Sequence, residues 1–212
     1  MKRLSVAIVA CTILAGCASA NYAFWNKLGY EKRDILVSRV EKAKDSQEAA
    51  KEQFKTTMQR FQELTNFNGG DLEAMYKKLS GEYDASVSRA NAVRDKIASV
   101  DSVAQDMFKE WKNELSEYQN PDLRAKSEQE LNDSKQHYAT LIAAMRQSEA
   151  KMDPVLKAFH DQVLFLKHNL NAAAVSSLQA TATGINSDVQ ALIKDMENSI
   201  NEANAFIAQM KK

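Results

Sequence analysis

Residues that interrupt helices are scarce in this sequence, because its 212 residues include only six glycines and two prolines. The β-branched runs punctuated by turns that predict strands are also missing. Instead the chain is rich in Ala, Lys, Glu, Gln and Leu, which favour helices. These features predict an all-α protein, and the length is typical of a single domain.

The sequence also has no excess of positive or negative charge. The 28 basic residues balance the 28 acidic residues, and no basic run or stripe stands out. Nucleic-acid-binding proteins usually carry such a basic patch. We therefore expect no nucleic-acid partner.

Cysteine occurs only at Cys11 and Cys17. Both lie near the start of the chain, where Lys2 and Arg3 precede the apolar run Leu4–Leu14. This run is too short to cross a bilayer. A charged start followed by a short apolar run is typical of a signal peptide.

The apolar run ends in Leu14-Ala15-Gly16-Cys17, which resembles the lipobox of bacterial lipoproteins. The resemblance implies that residues 1–16 are removed as a signal peptide. It also implies that Cys17 carries acyl chains, several of which hold a protein stably in a bilayer. Ala18 and Ser19 stand where lipoproteins retained at the inner membrane typically have Asp, so the resemblance implies the outer membrane, facing the periplasm. An ordinary secretory signal is the alternative.

The longest regular pattern lies between residues 72 and 118, where apolar positions recur alternately four and three residues apart. Only Ser86 and Glu114 depart from apolar character along this seam: Leu72, Tyr76, Leu79, Tyr83, Ser86, Ala90, Val93, Ile97, Val100, Ala104, Met107, Trp111, Glu114, Tyr118. Such a seam predicts one long helix packed lengthwise on others, about 70 Å in length.

Similar seams predict four helices, at about residues 22–65, 71–118, 121–168 and 172–211, within one domain of residues 17–212. The seam of the first helix is Leu36, Val40, Ala43, Gln47, Ala50, Phe54, Thr57, Phe61, Leu64.

One boundary stays open, because the third helix can break at Asp153-Pro154 or turn at Asn169–Asn171. We prefer the second choice, which gives four helices of similar length. The predicted fold is therefore all-α, an elongated antiparallel bundle of three to four long helices with coiled-coil packing.

Three segments resemble a known family: YAFWNKLGYEKRDIL at Tyr22–Leu36, DPVL at Asp153–Leu156 and DQVLFLKHNLN at Asp161–Asn171. It is the uncharacterised bacterial lipoprotein family catalogued as domain of unknown function 2959, and the resemblance covers essentially the whole mature chain. It implies an all-helical, coiled-coil-rich lipoprotein of Gram-negative cells. It implies no activity, because the family has none assigned.

The residues give no pattern for catalysis or a cofactor. No two of His137, His160 and His168 are three or four residues apart, so no helix face offers two imidazoles to one metal ion. No serine lies in a Gly-x-Ser-x-Gly setting, and Cys17 is consumed if it is acylated. We expect no enzyme activity, no metal site and no cofactor.

Aromatic residues follow the predicted anchor closely, at Tyr22, Phe24, Trp25 and Tyr30. They suit the bilayer interface or the packing of the first helical turns. We favour packing, because an apolar face continues beyond them through Leu28, Ile35 and Leu36.

The run Val163–Leu166 places four apolar residues in a row, which one helix face cannot bury together. If Phe159, Val163, Leu166 and Leu170 form the buried stripe, Leu164 and Phe165 lie on the outer face. There they flank two polar residues, and the four residues form a candidate partner surface: Asp161, Leu164, Phe165, His168. The alternative, which the sequence slightly favours, is a segment buried on all sides.

Our main hypothesis is a non-catalytic lipoprotein of the outer membrane that acts in the periplasm as a helical spacer or protein-interaction scaffold. Its partners would be the bilayer, through Cys17, and a periplasmic or envelope protein or a second copy of the chain. The alternative is a helical module that lies on the membrane and shapes it, which would need a basic amphipathic face. A metal or enzymatic site in the bundle core is disfavoured by the histidine spacing.

Overall fold

The computed structural model describes residues 32–67 and 69–211. These residues form four long helices, α1 (Lys32–Thr65), α2 (Leu72–Glu114), α3 (Pro121–His168) and α4 (Ala172–Met210), and the 3-10 turn Leu115–Glu117 follows α2. No strand occurs within these two ranges. The predicted all-α class is confirmed.

The helices form an up-down-up-down bundle. Each helix packs against the helix next to it in the chain, and α4 closes the bundle by packing against α1. Short connections between consecutive long helices force antiparallel neighbours. The two ends of the bundle are therefore distinct: one carries the α1–α2 and α3–α4 turns, and the other carries the start of α1, the α2–α3 connection and the end of α4.

The core follows the predicted seams through most of their length. Every seam position of α1, from Leu36 to Leu64, is fully buried. The α2 seam is buried from Leu79 to Met107, apart from the partly exposed Tyr83. Its far end differs from the prediction, because regular helix stops at Glu114 and Tyr118 is exposed.

Gln47, a polar residue in the apolar seam of α1, has its polar partners inside the bundle. Its side-chain nitrogen donates to the Ser148 hydroxyl of α3 at 2.9 Å, and its oxygen accepts from the Ser199 hydroxyl of α4 at 2.9 Å. All three side chains are fully buried. A satisfied polar layer of this kind fixes the axial register of long helices, because any sliding would leave buried polar atoms unpaired.

The turns are set by local chemistry. Gly69 and Gly70 both have positive φ, at 119° and 115°, a conformation that glycine adopts without steric cost. The next helix is then capped by Asp71, whose carboxylate accepts from the backbone nitrogen of Ala74 at 2.9 Å. Asn120 and Asn171 cap α3 and α4 in the same way.

Helix α3 is continuous through Pro154, so the chain turns at Asn169–Asn171 rather than at Asp153-Pro154. A proline cannot donate to the carbonyl four residues earlier, which here belongs to Ala150. Both residues are exposed, so water can bind that carbonyl. The flanking Met152 and Val155 are buried in the core and hold the helix together on either side of the missing bond.

Candidate interaction surfaces at the two ends of the bundle

Exposed large apolar residues lie near the two ends of the bundle. Within the part of the chain that the structure describes, they are Tyr118, Leu123, Leu164, Phe165 and Leu170. The first two lie at the α2–α3 connection, and the other three lie at the α3–α4 turn. We call the second group, together with the exposed Asp161 and His168, the distal patch.

The distal patch decides between the two interpretations of the run Val163–Leu166. Val163 and Leu166 are buried, whereas Leu164 is 47% exposed and Phe165 is 40% exposed. Asp161 and His168 are exposed as well. The alternative in which the segment is buried on all sides is therefore wrong, and the four predicted residues share one outer face of α3.

The exposure of Leu170 shows that the predicted buried stripe was wrong at this position. The sequence placed it in line with Phe159 and Val163, yet it is 39% exposed. The helical periodicity does not reach it, because α3 ends at His168. It lies in the turn and adds a third apolar side chain to the distal patch.

The backbone under the distal patch is held by specific hydrogen bonds. The side-chain nitrogen of Asn169 donates to the carbonyl of Phe165 at 2.9 Å, and its backbone nitrogen donates to the carbonyl of Leu166 at 3.1 Å. On the neighbouring α2, the ring of Tyr83 lies 5.8 Å from that of His160. The patch is thus presented by a fixed helix end, which suits a binding surface.

At the opposite end, the α2–α3 hairpin (residues 111–130) extends beyond the described residues of α1 and α4. The start of α1 is level with Glu110, which pairs with Lys32 at 3.0 Å. The end of α4 is level with the start of α1, because Arg33 donates to the carbonyl of Met210. Every residue from 116 to 126 is exposed.

Two aromatic residues brace this hairpin. The indole nitrogen of Trp111 donates to the Ser127 hydroxyl at 2.8 Å, and the Tyr118 hydroxyl lies 3.3 Å from the same oxygen. Tyr118 is still 42% exposed, and Leu123 is 54% exposed. Sequence reasoning placed Tyr118 in the buried seam and did not single out Leu123.

Ionised side chains also join the helices along their length. Asp195 of α4 is buried and accepts from Lys151 at 2.7 Å and from Gln147 at 3.1 Å. Burial alone would raise the pKa of Asp195, but these two donors outweigh it and hold the pKa below its usual value.

A second carboxylate, Asp101 of α2, joins α2 to α3. A hydrogen bond from the Tyr138 hydroxyl lowers the pKa of Asp101, and Arg146 acts in the same direction. Burial in turn raises the pKa of the Tyr138 hydroxyl. Both carboxylates are occupied by partners from the neighbouring helix, so they tie helices together rather than offer a free acid or base.

The remaining sequence predictions concern the start of the chain, a metal site and the membrane. Cys17, Ala18 and Ser19 lie outside the described residues, as does the predicted start of the first helix at residue 22. In residues 32–67 and 69–211, no three side chains of His, Cys, Asp or Glu converge as a metal site. None of the helices over the same ranges is both long and apolar enough to cross a membrane.

A family model described as "Protein of unknown function (DUF2959)" matches residues 21–210, and the chain belongs to that family. The match confirms the resemblance to the domain of unknown function and brings no activity with it. No curated protein matches the chain. No solved structure matches it either.

Proposed function

We propose that this member of the DUF2959 family is a non-catalytic lipoprotein of the cell envelope that acts as a rigid scaffold. Acyl chains on Cys17 anchor it to the outer membrane on the periplasmic side. The helical bundle then carries a protein-binding surface, the distal patch, away from the bilayer.

The observation that carries this proposal is the distance between the two ends of the bundle. The chain from Cys17 enters at the start of α1, and the 34 residues of α1 extend for about 50 Å. The carbonyl of Thr65 at the far end of α1 accepts from the Gln179 side chain of α4 at 2.8 Å. The distal patch adjoins the first residues of α4. It therefore lies about 50 Å, the length of α1, from the end of the bundle at which α1 begins.

The chemistry of the distal patch favours a protein partner. Leu164, Phe165 and Leu170 offer apolar area, and Asp161 and His168 surround it with polar groups. An apolar centre with a polar rim is the usual composition of a protein interface. Lys167 and His168 are the basic residues in the last turn of α3, too few cations to hold a helix on anionic lipid, which counts against the membrane-shaping alternative.

Site-specific photocrosslinking in cells tests the proposal. A photoreactive amino acid at Leu164 should give a discrete adduct with an envelope protein or with a second copy of the chain. The same residue at Ala143, exposed on α3 closer to its start, is the matched control and should give none. Equal adducts at both positions, or none at Leu164, would reject the distal patch as the binding surface.

A vesicle experiment tests the competing function. The unlipidated chain should stay in the supernatant when it is sedimented with vesicles of phosphatidylethanolamine and phosphatidylglycerol. Quantitative co-sedimentation would instead favour a module that lies on the membrane.

A further inference from the structure

The last two turns of α3 are symmetric in chemical character about a midpoint between Leu164 and Phe165. These two apolar side chains are exposed. Asp161 lies three residues before Leu164, and His168 lies three residues after Phe165. A separation of seven residues is almost two helical turns, so Asp161 and His168 lie on the same side of α3, and the two apolar side chains flank the line between them. An acid thus lies at one end of an apolar centre, and a histidine lies at the other end.

This arrangement is complementary to itself. Consider a second copy of α3 that packs on the first in the opposite direction, with the two-fold axis at the midpoint. Each residue then meets the residue that lies equally far on the other side of the midpoint. Leu164 and Phe165 pack on the same two residues of the second copy. Asp161 of each copy lies opposite His168 of the other, and an imidazole N–H can donate to a carboxylate whether or not the ring is protonated.

The other ionisable groups on this stretch of α3 are compatible with that pairing. Lys167 lies close to the level of Asp161 in the second copy, so it adds another cation near each acid. Lys157 is exposed, but it lies four residues before Asp161, beyond the point at which the α3 helix of the second copy has ended. His160 lies 3.6 Å from Asp161 of its own chain, and both side chains are well exposed, so this pair is weak and Asp161 keeps free acceptor sites.

The neighbouring helices leave room for a second copy and do not repel it. Residues 169–187, which form the turn and the first half of α4, contain no charged side chain. At the start of α2, Glu73 and Lys77 pair with each other at 2.7 Å. The described chain begins at Lys32, at the other end of the bundle. A partner for the patch needs an apolar centre, a donor opposite Asp161 and an acceptor opposite His168, and a second copy of the chain offers all three.

We propose that the distal patch binds the distal patch of a second copy, with the two α3 helices antiparallel. This inference rests on the proposed function, because it names the partner of the same surface. The apolar area is small, so the contact is weak between free molecules, and anchoring on one membrane would strengthen it by concentrating the copies. If the helices cross at about 50°, the commonest angle in globular proteins, the two bundles form an open V. Both ends at which α1 begins can then face one membrane.

Charge exchange between the two copies tests the pairing. We would use the chain from residue 17 with Cys17→Ser and measure the dimer dissociation constant by sedimentation equilibrium. His168→Asp places two acids opposite each other, and Asp161→Lys removes the acid, so each variant alone should dimerise several-fold more weakly. An equal mixture of the two should recover the parent affinity, because the introduced lysine then lies opposite the introduced aspartate and the second pair is native. Glu128→Lys, exposed near the start of the same helix, is the matched control and should change nothing.

Circular dichroism should show unchanged helix content in every variant, because the substituted side chains are exposed. A parent that stays monomeric at all concentrations would overturn the proposal. A mixture that associates no more tightly than either single variant would also overturn it.

Disulfide trapping tests the antiparallel order. The test chain has no other thiol, so a single Leu164→Cys substitution next to the two-fold axis should give a disulfide-linked dimer on mild oxidation. Lys157→Cys on the same outer face should not, because its two copies would lie about 20 Å apart along the helices. Equal trapping at both positions would indicate parallel helices and overturn the proposal. Photocrosslinks from Leu164 in cells to a different envelope protein alone would overturn it too, yet they would leave the proposed function standing.

Discussion

Gln47 and Ser148 are 101 residues apart in the chain, and their side chains form a buried hydrogen bond of 2.9 Å at the centre of the bundle. Ser199 completes the group by donating to the same glutamine. Three of the four helices thus meet at one polar layer, inside a core that is otherwise mostly apolar.

Gln47→Ala should destabilise the protein, because it opens a cavity and removes a partner from two buried hydroxyl groups. Leaving a buried polar group unsatisfied costs about 1–3 kcal/mol. Urea unfolding followed by circular dichroism measures the loss. The triple variant Gln47→Leu, Ser148→Ala and Ser199→Ala should recover most of it, because it removes every polar partner together. A single variant as stable as the parent would show that the layer contributes nothing to stability.

Ile97→Ala tests the burial of the α2 seam. Ile97 is 3% exposed, and truncating a buried aliphatic side chain usually costs about 2–5 kcal/mol. Ser102→Ala, on the exposed face of the same helix, is the control and should stay within about 0.5 kcal/mol of the parent. An equally small change for Ile97→Ala would place this part of the seam in solvent.

Asp195 should make the protein sensitive to acid. Its pKa is lowered in the folded state, so its ionised form stabilises the fold above the unfolded pKa of about 4, and this contribution is lost as the pH falls further. Asp195→Asn should therefore unfold at a lower temperature at neutral pH and lose less stability than the parent on acidification. Asp188→Asn, exposed on the same helix, should behave like the parent. Parallel pH curves for the parent and Asp195→Asn would contradict the assignment.

The double variant Leu164→Glu and Phe165→Glu should fold normally and lose its partner. Both side chains are exposed, and surface changes usually shift stability by no more than about 0.5 kcal/mol each. Thermal unfolding measures the first effect, and the in-cell crosslink from a neighbouring exposed position, Asp161, measures the second. Leu166→Glu, which introduces a charge at a fully buried position of the same helix, should unfold the protein. A strongly destabilised double variant would show that the patch is part of the core.

Cys17→Ser should abolish the incorporation of labelled palmitate and release the protein from the membrane fraction. Replacing Ala18 and Ser19 with Asp should leave the lipid in place and retain the protein at the inner membrane. Palmitate in the Cys17→Ser variant would rule out this attachment site. An unchanged membrane fractionation of the Asp variant would show that the sorting rule does not govern this chain.

Local patterns in the sequence were sufficient to predict the helices and most of their buried faces. The seam from Leu36 to Leu64 is fully buried, because a spacing of four and three residues aligns side chains on one face wherever the helix is placed. Asp71, Asn120 and Asn171 cap the helices that follow them, because a cap depends only on the next few residues. Cys17 and the residues after it lie outside the described part of the chain, so the anchor stays a prediction.

Only the tertiary structure decided which apolar residues stay exposed and how the polar ones are satisfied. Tyr118 continues the α2 seam, yet it is exposed because regular helix stops at Glu114 and the described residues of α1 and α4 do not cover it. Leu164 and Phe165 face outward because no fifth element of the described chain covers that side of α3. Gln47 can lie in an apolar seam only because Ser148 and Ser199, on two other helices, form hydrogen bonds with its side chain. Whether an apolar side chain is exposed, and whether a buried polar group finds a partner, depends on which distant segments pack at the same level of the bundle. The spacing within a single helix carries no information about that.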